Sequence, residues 1–179
     1  MYRQVQTQTT TREYSENEEY RKTIPLRSRV QMTMKKTLIN TRDFGEIEVN
    51  EAQVFEFPTG VFAFEDVRRF ALISPLGDDV YPMWLQSAED IAPCFVVFDP
   101  TIIDSSYNAT LSKSERALLE INEDTNLRYL VIAKVPENFR ETTVNMKSPI
   151  VINCDNNLAA QFILPQDYPF RLPIYSKEA

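Results

Sequence analysis

Acid–base chemistry in this sequence falls to carboxylates, because the chain holds 26 Asp and Glu and no histidine. Adjacent acids stand at Asp78-Asp79, Glu89-Asp90 and Glu123-Asp124, and a pair of carboxylates is the least that general acid–base catalysis requires. All three pairs lie in stretches that read as loops, where exposure to solvent is the ordinary fate of Asp and Glu. The missing histidine removes the usual base near neutral pH, the Ser–His and Cys–His nucleophile pairs, and the commonest transition-metal ligand. Three glycines, Gly45, Gly60 and Gly77, are too widely spaced for a phosphate-cradling loop. Cys94 and Cys154 form no paired motif. Each sits in an apolar run (CFVVF and IVINC) and reads as a small buried hydrophobe in a reducing compartment. The residue inventory therefore points to a binding protein rather than an enzyme, with neither cofactor nor metal.

Charge narrows the choice of partner. Residues 1–36 carry eight Lys/Arg and four Glu, a net charge of +4, and the rest carries eleven basic and 22 acidic residues, a net charge of −11. Phosphate backbones repel such a domain, since their binding draws on Lys and Arg. Direct nucleic-acid binding is not expected, and a basic protein is the natural charged partner. No run of eighteen apolar residues is present and the first residues contain no apolar signal core, so a cytoplasmic protein without membrane contact is expected.

The elements that must position these groups are mostly strands. Residues 1–36 have no apolar residues repeating on one face, and read as a disordered basic tail or a start of translation set too early, since Met34 is followed by two lysines. Residues 37–179 read as one β domain. Glu46-Ile47-Glu48-Val49-Asn50 alternates strictly, the pattern of a strand with one wet face. FALIS, MWLQS and CFVVFD follow, bounded by prolines, and LRYLVIAKV is long and nearly continuously apolar, as a central strand would be. Residues 64–70 are too short to assign by period and leave one or two helical turns open. Thr142–Lys147 alternates, and Asp155-Asn156-Asn157 signals a hairpin turn. Ser112-Lys113-Ser114-Glu115 is a capping box and predicts about two turns of helix. The sum is an all-β fold, a single antiparallel barrel-like domain with one or two short helices. Trp84, the sole tryptophan, is expected in the core. The aromatics around Tyr81 and Tyr168 either cover the barrel ends or face a partner.

Separated blocks stand in a fixed order: Thr41-Arg42-Asp43-Phe44-Gly45-Glu46-Ile47, Phe57-Pro58-Thr59-Gly60 running into Phe64-Glu65, Trp84-Leu85-Gln86-Ser87, Phe95 to Pro100, Thr143 to Asn153, and Tyr168-Pro169-Phe170-Arg171. Together they resemble the FliW family of bacterial flagellar assembly factors. Ala63 departs from the pattern where a second glycine is usual, and Leu172 where a histidine commonly follows the arginine. The resemblance implies two protein partners. One is CsrA, a small basic dimer that represses translation, which such proteins antagonise allosterically; the other is flagellin, so that flagellin synthesis is coupled to export. The acidic residues expected to meet CsrA are Glu46, Glu48, Glu65, Asp66, Asp78 and Asp79, with Glu46 and Glu48 turned outward together. A small-ligand β-barrel of the flavin-binding split-barrel type is the alternative with a similar strand count.

Overall fold

The structure, a computed structural model, describes residues 35–77 and 79–175. Asp78 and residues 1–34 of the expected disordered tail lie outside the described residues, while Lys36, expected in that tail, opens the first strand opposite Asn50. Two strands open the fold as a hairpin, β1 (Lys36–Thr41) and β2 (Gly45–Asn50), in full register from Lys36 opposite Asn50 to Thr41 opposite Gly45. Next come β3 (Val54–Glu56), β4 (Arg69–Ile73), β5 (Met83–Ser87) and β6 (Cys94–Phe98). Helices α1 (Pro100–Ile103) and α2 (Lys113–Leu118) precede β7 (Leu127–Lys134), the longest strand. Strands β8 (Thr143–Val144), β9 (Ile150–Asn153), β10 (Leu158–Gln161) and β11 (Leu172–Pro173) complete the described elements.

Seven strands close into a barrel in the order β7, β6, β5, β4, β3, β10, β9, because β9 pairs back onto β7 with Leu130 opposite Ile150. Every pairing is antiparallel except β3 with β10, which run parallel through Glu56 and Leu158. The expectation of an antiparallel barrel thus meets one exception with a simple cause. Strand directions cannot alternate all the way around an odd-numbered ring, so one parallel neighbour is obligatory. Strands β8 and β11 extend the sheet from the far end of β7, through Ala133 and Lys134.

Alternation sorts the side chains. Phe70, Leu72, Met83, Leu85, Val97, Leu130, Ile150 and Ile152 fill the barrel, all nearly or fully buried. Burying each such side chain contributes roughly 1.5–3 kcal/mol. The outer wall is also largely covered, in three patches. The β1–β2 hairpin lays Ile39 and Val49 on Val54 and Ala71. Tyr107, Met146 and Leu164 cover Val131 and Val144, while Leu119 and Phe162 cover Val151 and Ala160. Strands β7 and β9 are therefore apolar on both faces, which explains why their sequences run without alternation.

Local chemistry sets the connections. Helix α2 begins as its capping box predicts: the Ser112 hydroxyl accepts from the Glu115 amide (3.3 Å) and the Glu115 carboxylate accepts from the Ser112 amide (2.6 Å). Helix α1, absent from the sequence reading, starts where Asp99 accepts the Thr101 amide at 2.8 Å with Pro100 in the first position. Residues 64–70 contain no helix; a turn bridged between Val61 and Phe64 leads into β4. The strand expected over Thr142–Lys147 shortens to Thr143–Val144. There the Asn145 side chain takes the amides of Lys147 (3.1 Å) and Ser148 (3.0 Å) and turns the chain. Asn157, with a φ of 60°, makes the predicted turn between β9 and β10.

Candidate functional site

Acidic groups and exposed aromatic rings share one region of the barrel. In the β1–β2 hairpin Val49 is buried and Ile47 half-buried, so Glu46 and Glu48 project outward together, as the alternation requires. Glu48 is ion-paired with Lys36 on the facing strand. The hairpin turn is fastened to the barrel wall. The Arg42 amide donates to Gln86 Oε1 (3.2 Å) and its guanidinium to the Cys94 carbonyl (3.3 Å). Asp43 accepts two bonds from Arg42 (2.9 and 2.8 Å) and one from Trp84 Nε1 (3.2 Å). Arg42 holds the Asp43 carboxyl below the usual carboxylate range, and the Trp84 bond adds to the effect. Phe44 meets Trp84 edge-on, with ring centroids 5.3 Å apart.

Trp84 is thus not a core residue. It pairs with Ile73 and Val96 on the outward phase of β5, while its neighbours Met83 and Leu85 point inward. Polar anchorage replaces burial here, because the indole N–H finds Asp43 only at the surface. The cysteines also depart from expectation. Cys94 is half-buried, and burial pushes its thiol up to about 11. Cys154 is exposed because it lies one residue past the end of β9.

Loop 58–68 makes the second part of the surface. Its root is sealed by Phe57 and Val61, both buried, and Gly60 turns beneath it with φ at +69°. A Cβ on Gly60 would sit 2.6 Å from the Glu65 Cα, so only glycine fits. Ala63 also has φ at +69°, which gives a physical sense to the glycine usual there: the position demands a left-handed backbone. Glu65 Oε1 accepts the Ala63 amide (3.0 Å), which ties that carboxylate to its own turn. Asp66 is exposed. Phe62 and Phe64 are both exposed by two-fifths or more, and Phe64 packs on Phe95 at 5.4 Å. Hairpin and loop therefore converge on the start of β6, one through Arg42 at Cys94 and the other through Phe64 at Phe95.

Asp79 does not join them. It lies in the β4–β5 loop at the opposite end of the barrel, where Arg128 donates to its Oδ1 at 2.7 Å. The pairs Glu89-Asp90 and Glu123-Asp124 are exposed loop groups, and Ser87 Oγ accepts both the Glu89 and Asp90 amides. Among the described residues no group of three or more Cys, Asp or Glu is arranged to hold a metal ion. No described helix is long and apolar enough to cross a membrane.

The sequence profile described as FliW protein matches residues 36–174, from the first residue of β1 to just past β11. The chain belongs to the FliW family. It is 37% identical over 143 residues to the flagellar assembly factor FliW of Natranaerobius thermophilus, an alignment that spans 78% of this chain and 93% of that protein. To the flagellar assembly factor FliW of Bdellovibrio bacteriovorus it is 33% identical over 141 residues, spanning 78% and 80%. The crystal structure of a flagellar assembly factor FliW superposes with a TM-score of 0.72 at 28% identity, covering 80% of this chain and all of that one. The FliW match favours this reading over the flavin-type barrel.

Sequence reasoning passed over two residues that organise this FliW surface and its opposite end, Arg42 and Arg128. The signal for Arg128 was present: it is the only charge inside LRYLVIA, and it shares the inward phase with Leu130.

Proposed function

We propose that this chain is a cytoplasmic flagellar assembly factor that acts by binding two proteins. It binds CsrA and antagonises its hold on messenger RNA allosterically, and it binds flagellin, whose accumulation then frees CsrA to repress flagellin synthesis. The observation that carries this reading is the family match over the whole barrel, residues 36–174, with relatives named flagellar assembly factors. The charge of the domain is complementary: eleven basic against 22 acidic residues suits a basic partner and disfavours RNA. Antagonism at a distance requires that the chain bind one state of CsrA better than the other. Glu46, Glu48, Glu65 and Asp66 are the proposed contacts, beside the exposed rings of Phe44, Phe62 and Phe64.

A gel shift tests the proposal. Alone, at moderate salt, the chain leaves the flagellin transcript unshifted. Added to CsrA it weakens the CsrA–transcript complex, and flagellin reverses that effect. Submicromolar binding of the chain to the transcript, or an unchanged CsrA complex, contradicts the reading.

A further inference from the structure

The end of the barrel opposite loop 58–68 is open, and an arginine points into it. Arg128 stands opposite Ile152 on the inward phase of β7, one inward step before Leu130, so its side chain enters the mouth where Leu130 enters the core. It is about a quarter exposed (27%). Burial works against its charge, but the Tyr81 hydroxyl and the Asp79 carboxylate outweigh that and hold its pKa above the ordinary arginine value. Two concavities, of about 410 and 460 Å³, share Arg128, Asp79 and Cys154 as walls, a size typical of sites for small ligands.

The guanidinium is only half used. Its Nη2 donates to Asp79 Oδ1 (2.7 Å) and Tyr81 Oη (2.9 Å) and touches Met83 Sδ (3.5 Å). Nε and Nη1 have no hydrogen-bond partner among the described residues. Of the fork that would grip a carboxylate with two parallel bonds, only Nη2 is engaged, by the Tyr81 hydroxyl and a single carboxylate oxygen. That oxygen is itself easily replaced. The Asp79 side chain is 81% exposed, so solvent screens its half of the pair although Arg128 itself is largely buried. Among the described residues the Asp79 loop makes local backbone turns, Gly77 amide to Ser74 carbonyl and Val80 amide to Gly77 carbonyl, both 3.2 Å, and Tyr81 anchors its far end on the core. The neighbouring acid Asp99 is engaged elsewhere, since Oδ1 accepts the amide (2.8 Å) and hydroxyl (2.6 Å) of Thr101.

We propose that this mouth is a carboxylate-binding site: Arg128 grips the incoming group, and Asp79 is an internal occupant that the ligand displaces. Phe55, Leu72, Ile102 and Leu127 line the surrounding walls beside Tyr81. They favour a carboxylate carried on an apolar residue, as at the C-terminus of a peptide. The site goes beyond the partner surface proposed above and does not depend on it.

Calorimetric titration of the full chain with N-acetyl-leucyl-leucine, its C-terminal amide, and succinate tests the proposal. The free acid binds at least tenfold more tightly than the amide. Asp79→Asn, which keeps a residue tolerant of the φ of 56° at that position, tightens acid binding threefold or more. Arg128→Gln abolishes it, and Arg128→Lys, which keeps the charge and loses the fork, weakens it tenfold with an unchanged melting temperature. Succinate binding as tight as that of the dipeptide, with the same response to the three substitutions, assigns the site to free carboxylates. Equal binding of acid and amide, no gain from Asp79→Asn, or no binding at millimolar ligand overturns the proposal.

Discussion

Where β4 begins and β5 finishes, the chain between Phe57 and Val67 folds inward and closes the barrel with Phe57 and Val61, fitting Gly60 against backbone with no room to spare. Where β4 finishes and β5 begins, a loop of local turns reaches Arg128 through the exposed Asp79 carboxylate and the half-buried Tyr81 hydroxyl. The contrast shows two uses of the same barrel. An end sealed by apolar burial is a rigid platform, so the acidic and aromatic groups on it keep their places. An end where the arginine meets one exposed carboxylate beside an anchored tyrosine can exchange that carboxylate without disturbing the core.

Glycine substitutions separate the two ends most sharply. At the sealed end Gly60→Ala drives a Cβ into the Glu65 backbone with an unfavourable φ of +69°. A cost of about 3 kcal/mol is expected, which lowers the melting temperature on the order of 10 °C. At the open end Gly77→Ala meets only the Val80 side chain, at 3.6 Å, and incurs the backbone strain of φ +114° alone. Roughly 1–2 kcal/mol is expected there. Equal losses by differential scanning calorimetry would erase the distinction between a packed end and a loose one. Smaller again is Ala63→Gly, which relieves a left-handed alanine and is expected to stabilise by up to about 1 kcal/mol.

The mildest effect is one of pH. The Asp43 carboxyl titrates below its ordinary value because of Arg42, so its contribution is fully present above the unfolded pKa near ~4 and is lost as pH falls through the lower, folded value. Acidification below about pH 4 should release the hairpin turn from Trp84 and shift tryptophan emission before the barrel unfolds. Trp84 is the sole tryptophan, so the signal has one source. Asp43→Asn should show the shifted emission at neutral pH. An emission spectrum that changes only together with global unfolding would mean that the turn is not held by this bond.

Much of the sealed end was legible in the sequence, because its determinants are local. The alternation of Glu46 to Asn50 set the outward acids and the Pro58-Thr59-Gly60 turn set the loop; elsewhere the Ser112–Glu115 capping box set α2 in the same local way. What stayed hidden depends on residues far apart in the chain. Trp84 lies outside because Asp43, 41 residues earlier, takes its N–H. Asp79 parts from the other acids because the β4–β5 loop lies at the far end of the barrel, where Arg128, 49 residues later, meets it. Alternation also said which side of a strand a residue takes, but not which side of β5 would be covered; that depends on where the β1–β2 hairpin docks.

The reading of the acidic surface as the CsrA contact is tested most directly by surface plasmon resonance. The double variant Glu46→Lys with Glu65→Lys is compared with wild type at two salt concentrations, with circular dichroism to establish folding. Steering by charge acts on association, so the folded variant should associate with CsrA at least tenfold more slowly at low salt, on the order of 1.4 kcal/mol if dissociation is unchanged. The gap should narrow as salt rises. A folded double variant that associates like wild type at low salt would contradict the account.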